Sequence, residues 1–135
     1  MDNKRIKMKT KDRVKALLIK SPHLKDNDDK LYDIIARTSI ELGHKTDGKT
    51  MAALTKIFAN DVATDKRLKR LSLEDIDTAF KLGVRYDEKD CYLNIRTFYR
   101  WCFQHKARID SAIYEVETLN KDPKTVPYYK QKLLK

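Results

Sequence analysis

The sequence has 135 residues, the usual length of a single domain, and a formal net charge of +10. It contains only 3 Gly and 3 Pro, which argues against a turn-rich β-sandwich or barrel and against a Gly-rich phosphate loop. Hydrophobic residues make up 41% of the chain, enough to form a core. We therefore predict an all-α fold, a compact bundle of about five helices with a long C-terminal helix and basic termini.

The positive charge is concentrated at the two ends of the chain. Residues 1–25 carry nine basic and two acidic residues, a net +7, and residues 121–135 carry five and one, a net +4. The remainder has sixteen basic and seventeen acidic residues, a net −1. We divide the chain into a basic N-terminal arm (1–9), a helical domain (10–120) and a basic C-terminal tail (122–135).

The two ends allow different interpretations. In the arm, the cations Lys4, Arg5 and Lys7 are candidate phosphate contacts, although such a run also serves as a solvated, solubilising end. The tail mixes Tyr with Lys, which suits base stacking combined with phosphate contact. The same residues suit a tail that docks its Tyr and Leu side chains on the body, and we favour docking slightly.

Apolar spacing predicts three helices in the first half of the chain. The first follows Thr10 and ends at Ser21-Pro22, and the second begins at the acidic segment 26–29 and ends at Gly43. The third covers 50–58 and ends within 59–61. The positions expected to be buried on the second helix are Leu31, Ile34, Ile35, Ile40 and Leu42.

A dense cluster of cations precedes the fourth predicted helix. Four cations lie within the segment 66–70, and they are candidates either for phosphate contact or for a solvated helix end. These cations are Lys66, Arg67, Lys69 and Arg70. Ser72 is then expected to cap the fourth helix, and Gly83 to mark its C-terminal end.

The longest predicted helix runs from Asn94, an N-cap residue, to 121, because no Gly or Pro interrupts this segment. Its apolar positions alternate in steps of four and three, as in a short coiled coil. They are Phe98, Cys102, His105, Ile109, Ala112, Val116 and Leu119. The stripe is widened beyond this seam by Trp101, Phe103, Ile113 and Tyr114. Its width predicts a helix that serves the domain core and also a partner helix or second subunit, so a homodimer is one hypothesis.

Residues 72–104 read as helix, connection and helix, and they resemble a helix-turn-helix unit. The resemblance implies that the first turns of the second helix enter the major groove of double-stranded DNA. The residues it assigns to the groove are Arg96, Thr97, Tyr99 and Arg100. The connection 84–92 is longer than the usual three to four residues or so, and its acidic side chains would repel phosphates. The alternative is a plain helical hairpin with solvated arginines.

Two segments also resemble small, mostly uncharacterised proteins that bacteriophages and prophages encode. The first is 13–28 (RVKALLIKSPHLKDND), continued by Lys30-Leu31, and the second is 73–101. Some of those proteins look like accessory factors of DNA replication or regulation. The resemblance implies a setting in a host cytoplasm, and it implies no mechanism.

The residues that usually carry catalysis or bind metals lack the necessary spacing. His23, His44 and His105 form no zinc motif, and Cys91 and Cys102 lack metal-type spacing. A nucleophile built from Cys102 and His105 would lie in the apolar stripe, where a thiolate is disfavoured. We expect reduced cysteines, no metal, no cofactor and no enzymatic activity.

The leading hypothesis is a phage-type DNA-binding protein in replication or gene regulation. Groove contacts would come from the 96–100 segment, and phosphate contacts from the arm and from 66–70. One alternative is an adaptor or inhibitor that docks its long helix on a replication or host protein. Another is a helical component of the virion. The membrane plays no part in any of them, because no apolar run approaches the roughly 18 residues of a span.

Overall fold

The computed structural model describes residues 28–130, which form four α-helices, one 3₁₀ turn and no strand. The predicted all-α class is confirmed. Helix α1 spans Asp28–Glu41, α2 spans Gly48–Thr64, α3 spans Leu73–Tyr86, α4 spans Ile95–Glu117, and the 3₁₀ turn is Pro123–Thr125. The first predicted helix and the basic arm, with Lys4, Arg5 and Lys7, lie outside the described residues. No helix within 28–130 is long and apolar enough to cross a membrane.

Helix α1 packs against α2 and α3 through Leu31, Ile34 and Ile35, which are buried as predicted. The predicted burial of Ile40 is wrong, since its side chain is 76% exposed. Thr38 and Ser39 are buried instead, and Thr38 Oγ1 donates a hydrogen bond to the Ile34 carbonyl at 2.7 Å. Buried polar side chains can therefore occupy this stripe, because Thr38 bonds to the helix backbone and Ser39 Oγ donates to Thr46 Oγ1, beyond the helix, at 2.9 Å.

Helix α2 is longer than the sequence predicted. The segment 59–61 does not end it, and the helix continues to Thr64, with Asp65 as its C-cap. The reason is packing, since Ala59, Val62 and Ala63 are buried and extend the apolar stripe of Phe58 by a further turn.

Helix α3 begins where expected and ends later than expected. Ser72 forms a capping box with Asp75: Ser72 Oγ accepts from the Asp75 amide at 3.1 Å, and Asp75 Oδ2 accepts from the Ser72 amide at 2.9 Å. Gly83 does not end the helix, which continues to Tyr86. This glycine lies inside α3 because the Trp101 ring of α4 packs directly against its Cα.

An aromatic cluster joins α2, α3 and α4. The rings of Phe80 and Phe98 stack at 4.8 Å between centroids, Trp101 packs edge-on to Phe80 at 5.3 Å, and Phe58 packs edge-on to Phe98 at 5.3 Å. Stacked and edge-on aromatic pairs of this kind add about 0.5–1.5 kcal/mol beyond burial of their area. These rings form the centre of the core and fix which side of α4 faces inward.

The predicted seam of α4 is used by the chain's own core. Five of its residues are buried there, namely Phe98, Cys102, His105, Ile109 and Ala112. Leu119 is exposed, because α4 ends at Glu117 and the helix does not extend to 121. A homodimer through this seam would require the core to open.

The segment after α4 folds back on the body at least as far as Lys130. Val126 is buried, and the Tyr128 ring packs edge-on to His105 with centroids 5.2 Å apart. Lys130 Nζ lies 2.6 Å from Asp75 Oδ2, at the start of α3. Residues 122–130 therefore follow the docking interpretation, and 131–135 lie outside the described residues.

The docked segment packs on His105, and we expect burial of this histidine to make the domain sensitive to acid. Burial lowers the pKa of His105, as does Arg108 next to it, while Asp75 opposes the shift and Lys130 reinforces it. Because the unfolded chain binds a proton more readily, we expect stability to fall as the pH drops below the ordinary histidine pKa of about 6.5.

We expect His105→Leu to remove much of this acid sensitivity. The measurement is urea unfolding at several pH values between about 7.5 and 5, with the slope of stability against pH compared between the two proteins. The variant should show the shallower slope, whatever its stability at neutral pH. Identical slopes in this window would contradict the assignment.

Candidate nucleic-acid interface

The N-terminal half of α4 has one side in the core and one side facing outward. Asn94 caps the helix, with its Oδ1 accepting from the Thr97 amide at 2.9 Å. The outward side carries an open depression of about 650 Å³. Six side chains line this surface, which we name the α4 face: Ile95, Arg96, Tyr99, Arg100, Phe103 and Gln104.

Thr97 does not belong to this surface. Its side chain is in the core, with 2% of the residue exposed. It lies four residues before Trp101 and eight before His105, so the three share the buried side of the helix. Thr97 therefore cannot contact a base in this conformation, contrary to its predicted role.

Arg100 lies on the α4 face and is held by an acidic partner. Its Nε donates to Asp87 Oδ2 at 2.8 Å, and the Asp87 side chain is 4% exposed. The same oxygen accepts from Trp101 Nε1 at 3.0 Å. Burial opposes ionisation of Asp87, but hydrogen bonds from Arg100, the Lys89 amide and Trp101 outweigh it and lower the pKa of the carboxyl.

Arg96 is placed differently from Arg100. It is exposed, and it makes no ion pair with any residue of the described range 28–130. The predicted set of four therefore separates into an exposed Arg96, a buried Thr97, a half-buried Tyr99 and an Arg100 bound to Asp87. Three of the four reach the α4 face.

Two aromatic rings form the floor of the α4 face. Tyr99 and Phe103 are half-buried and pack edge-on, with centroids 5.9 Å apart. The Tyr99 ring also packs edge-on to Phe58 of the core, with centroids 6.1 Å apart, and this packing anchors the Tyr99 ring. Burial raises the pKa of the Tyr99 hydroxyl, and the nearby carboxylate of Asp61 adds to the effect, so this side chain remains a neutral phenol.

The cationic segment 66–70 forms an exposed turn beside this floor. The Arg67 guanidinium carbon lies 5.1 Å from the centre of the Phe103 ring, a cation–π contact. Arg67 is also bound to Asp65, with its NH2 2.8 Å from Oδ2 and its Nε 3.1 Å from Oδ1. Lys66, Lys69 and Arg70 are exposed. The structure thus brings Arg67, one member of the predicted 66–70 cluster, against Phe103 of the α4 face.

The described residues offer little else for chemistry. Cys91 and Cys102 are free thiols, and burial raises the pKa of Cys102 to about 12, which disfavours its thiolate. Within 28–130, no group of three or more His, Cys, Asp or Glu side chains is placed to hold a metal ion.

Three members of the α4 face were not predicted as site residues. Ile95 and Gln104 were not singled out, and Phe103 was assigned to a widened core stripe. Helical spacing could have indicated them, because positions 96, 99, 100 and 103 recur at three- and four-residue intervals opposite the seam. Comparisons with family models, with curated proteins and with solved structures find no match.

Proposed function

We propose that this chain is a non-enzymatic nucleic-acid-binding protein, acting on DNA in replication or gene regulation, and that the α4 face and the 66–70 turn form its contact surface. The observation that carries the proposal is the position of Arg67 over Phe103. That contact brings one cation of the 66–70 segment against a ring of the α4 face that lies 36 residues further along the sequence. Cations beside half-buried rings at an open surface suit a polyanion that carries flat bases.

The exposed cations supply the electrostatic part of binding. Within the described part of the chain, Lys66, Lys69, Arg70 and Arg96 form no ion pair, so their charges are available to phosphates. Arg67 and Arg100 already neutralise Asp65 and Asp87, so these two carboxylates do not oppose an incoming phosphate. Each phosphate contact releases counterions and makes affinity depend on salt.

We expect Arg96→Gln to weaken binding to a labelled oligonucleotide by about tenfold near 50 mM salt and to reduce the slope of log K against log salt by about one. Fluorescence anisotropy titrations between about 50 and 200 mM salt measure both quantities. The oligonucleotide, tested as a single strand and as a duplex, should exceed a site of about 4–16 nucleotides.

Lys49→Gln is the matched control for charge. Lys49 is exposed and lies nine residues before Phe58, the α2 residue that contacts Tyr99, or about 13 Å along the helix. This variant should retain the parent affinity and slope. Equal losses in the two variants, or binding that does not respond to salt, would count against the α4 face as the contact surface.

The second candidate is a protein-interaction factor, such as an adaptor or inhibitor or a virion component. The apolar side chains of Ile95, Tyr99 and Phe103 within the α4 face favour it, because protein interfaces are enriched in aromatic residues and Arg. No binding to either strand form at low salt would favour this candidate over the first.

A further inference from the structure

The N-terminal half of α4 has neighbours on both sides of its outward face. On one side the 65–67 turn approaches, with Arg67 against Phe103. On the other side lies the connection to α3, where Asp87 and the Asp90 carbonyl approach Arg100 at 2.8 and 3.4 Å. An α-helix with its side chains is about 10–12 Å wide, and the major groove of B-DNA is about 12 Å wide. A helix that enters this groove needs its outward side clear of neighbours, whereas here Phe103 and Arg100 on that side are in contact with the 65–67 turn and the 87–90 connection.

The contacts of the α4 side chains also disfavour direct reading of base edges. Thr97 is in the core, and Arg100 is bound to a buried carboxylate. Arg96 alone among the four predicted groove residues is exposed without an ion pair inside 28–130. One side chain can position a phosphate, but it offers little sequence discrimination.

The aromatic rings point instead to stacking. The depression beside Tyr99 is open to solvent and is lined by Arg96, while Arg67 lies over the neighbouring Phe103 ring. The bases of a duplex are already stacked on one another, whereas the bases of a single strand are free to stack on protein rings. Flat rings bordered by cations are typical of single-strand binding surfaces.

A second depression continues the same surface. It is lined by Tyr86, Lys89 and Arg108, and it shares Gln104 with the first. Tyr86 is 72% exposed, so it offers another ring to an extended strand. Two acids, Asp87 and Glu88, also line this part, and Glu88 is exposed and weakens its attraction for phosphates. The first depression therefore carries the tighter contact.

We infer that the α4 face binds single-stranded nucleic acid, with bases stacked on Tyr99 and phosphates held by Arg96 and the 66–70 turn. This inference rests on the proposed function and specifies that the nucleic acid is bound as a single strand. It replaces groove insertion with stacking as the mode of contact. Sequence preference should be weak, because every base presents a flat face to an aromatic ring.

The test measures anisotropy with a labelled DNA single strand and with its matched duplex, using the full chain. We expect the parent to bind the single strand more tightly. Tyr99→Leu should weaken single-strand binding about 5- to 150-fold, which corresponds to ~1–3 kcal/mol at 1.4 kcal/mol per tenfold. Tyr99→Phe keeps the ring and should restore most of the affinity.

Tyr114→Leu is the control for loss of a ring from the same helix. Tyr114 is exposed and lies fifteen residues after Tyr99, or about 22 Å along the axis, so its loss should leave binding unchanged. Thermal unfolding of each variant establishes that it is folded at the assay temperature.

The outcomes separate the two proposals. Equal or tighter binding to the duplex, with no effect of Tyr99→Leu on the single strand, would overturn stacking and leave the nucleic-acid function standing. Failure of both strand forms to bind at low salt would overturn the proposed function itself. A single-strand preference that Tyr99→Leu and Tyr114→Leu reduce equally would place the stacking elsewhere and overturn this inference.

Discussion

Gly83→Ala should destabilise this domain, although glycine-to-alanine changes inside helices usually stabilise by about 1 kcal/mol. A Cβ at Gly83 would lie 2.4 Å from three atoms of the Trp101 ring, closer than atoms approach in folded proteins. The ring cannot easily withdraw, because Trp101 is fully buried, packs on Phe80 and donates to Asp87. Overpacking of this kind costs about 1–3 kcal/mol, and somewhat more at a rigid site, so we expect a net loss.

A double-mutant cycle tests the cause. In a Trp101→Leu background the ring is gone, and Gly83→Ala should become neutral or stabilising, because only its helix propensity remains. Urea unfolding of the four proteins gives the coupling between the sites. Gly48→Ala is the control, since its Cβ would meet only the end of the Tyr32 side chain at 3.3 Å. A destabilisation by Gly83→Ala that persists without the indole would contradict the clash.

The starts of α3 and α4 could be predicted from the sequence because they depend on local chemistry. Ser72 and Asn94 cap these helices with side chains that accept from amides three residues later. Such bonds involve neighbours in the chain, so the residue types alone indicate them. The all-α class followed from the same local patterns and from the scarcity of Gly and Pro.

The end of α3 could not be predicted in the same way. Glycine commonly ends a helix, and a local interpretation assigns Gly83 that role. Here the glycine is required by a contact with Trp101, eighteen residues away, and the helix continues past it. Tertiary packing therefore determines where α3 ends, and tertiary contacts cannot be read from a single sequence.

The candidate site was predictable in part. Helical spacing alone could have excluded Thr97, because it lies four residues before Trp101, which was assigned to the core. The approach of Arg67 to Phe103 could not have been foreseen, since it depends on how the 65–67 turn packs beside α4. The sequence identified the cations, and the fold determines which of them meet.

Asp87 shows the same difference between a role read from the sequence and a role set by the fold. We expect replacement of Asp87 to lower the stability of the domain substantially. From the sequence, this carboxylate belongs to an acidic connection that repels phosphates. In the structure it joins α3 to α4, since its buried side chain accepts from Arg100 and Trp101 on α4 and from the Lys89 amide. Asp87→Ala leaves Arg100 unpaired and Trp101 Nε1 without its acceptor, so we expect a loss of about 3 kcal/mol.

Asp87→Asn separates the charge from the shape of this side chain. The amide oxygen can still accept from Trp101, so the loss at neutral pH should be smaller than for Ala, while the ion pair with Arg100 is gone. Because the folded pKa of Asp87 is below its ordinary value of about 3.9, its stabilisation is present above that pH and is lost as the pH falls through the folded pKa. The stability gap between the parent and Asp87→Asn should therefore shrink below about pH 4.

Urea unfolding of the parent and of both variants at neutral and acidic pH measures this gap. Glu88→Gln is the matched control, because its neighbouring carboxylate is exposed and forms no ion pair with any residue from 28 to 130. It should change stability by less than about 0.5 kcal/mol. A gap that stays constant into the acid range would contradict stabilisation by the charge of Asp87, and a small loss in Asp87→Asn beside a large loss in Asp87→Ala would assign the contact between α3 and α4 to the hydrogen bond from Trp101. Arg100 would then be free to leave Asp87 and bind a phosphate at little cost in stability.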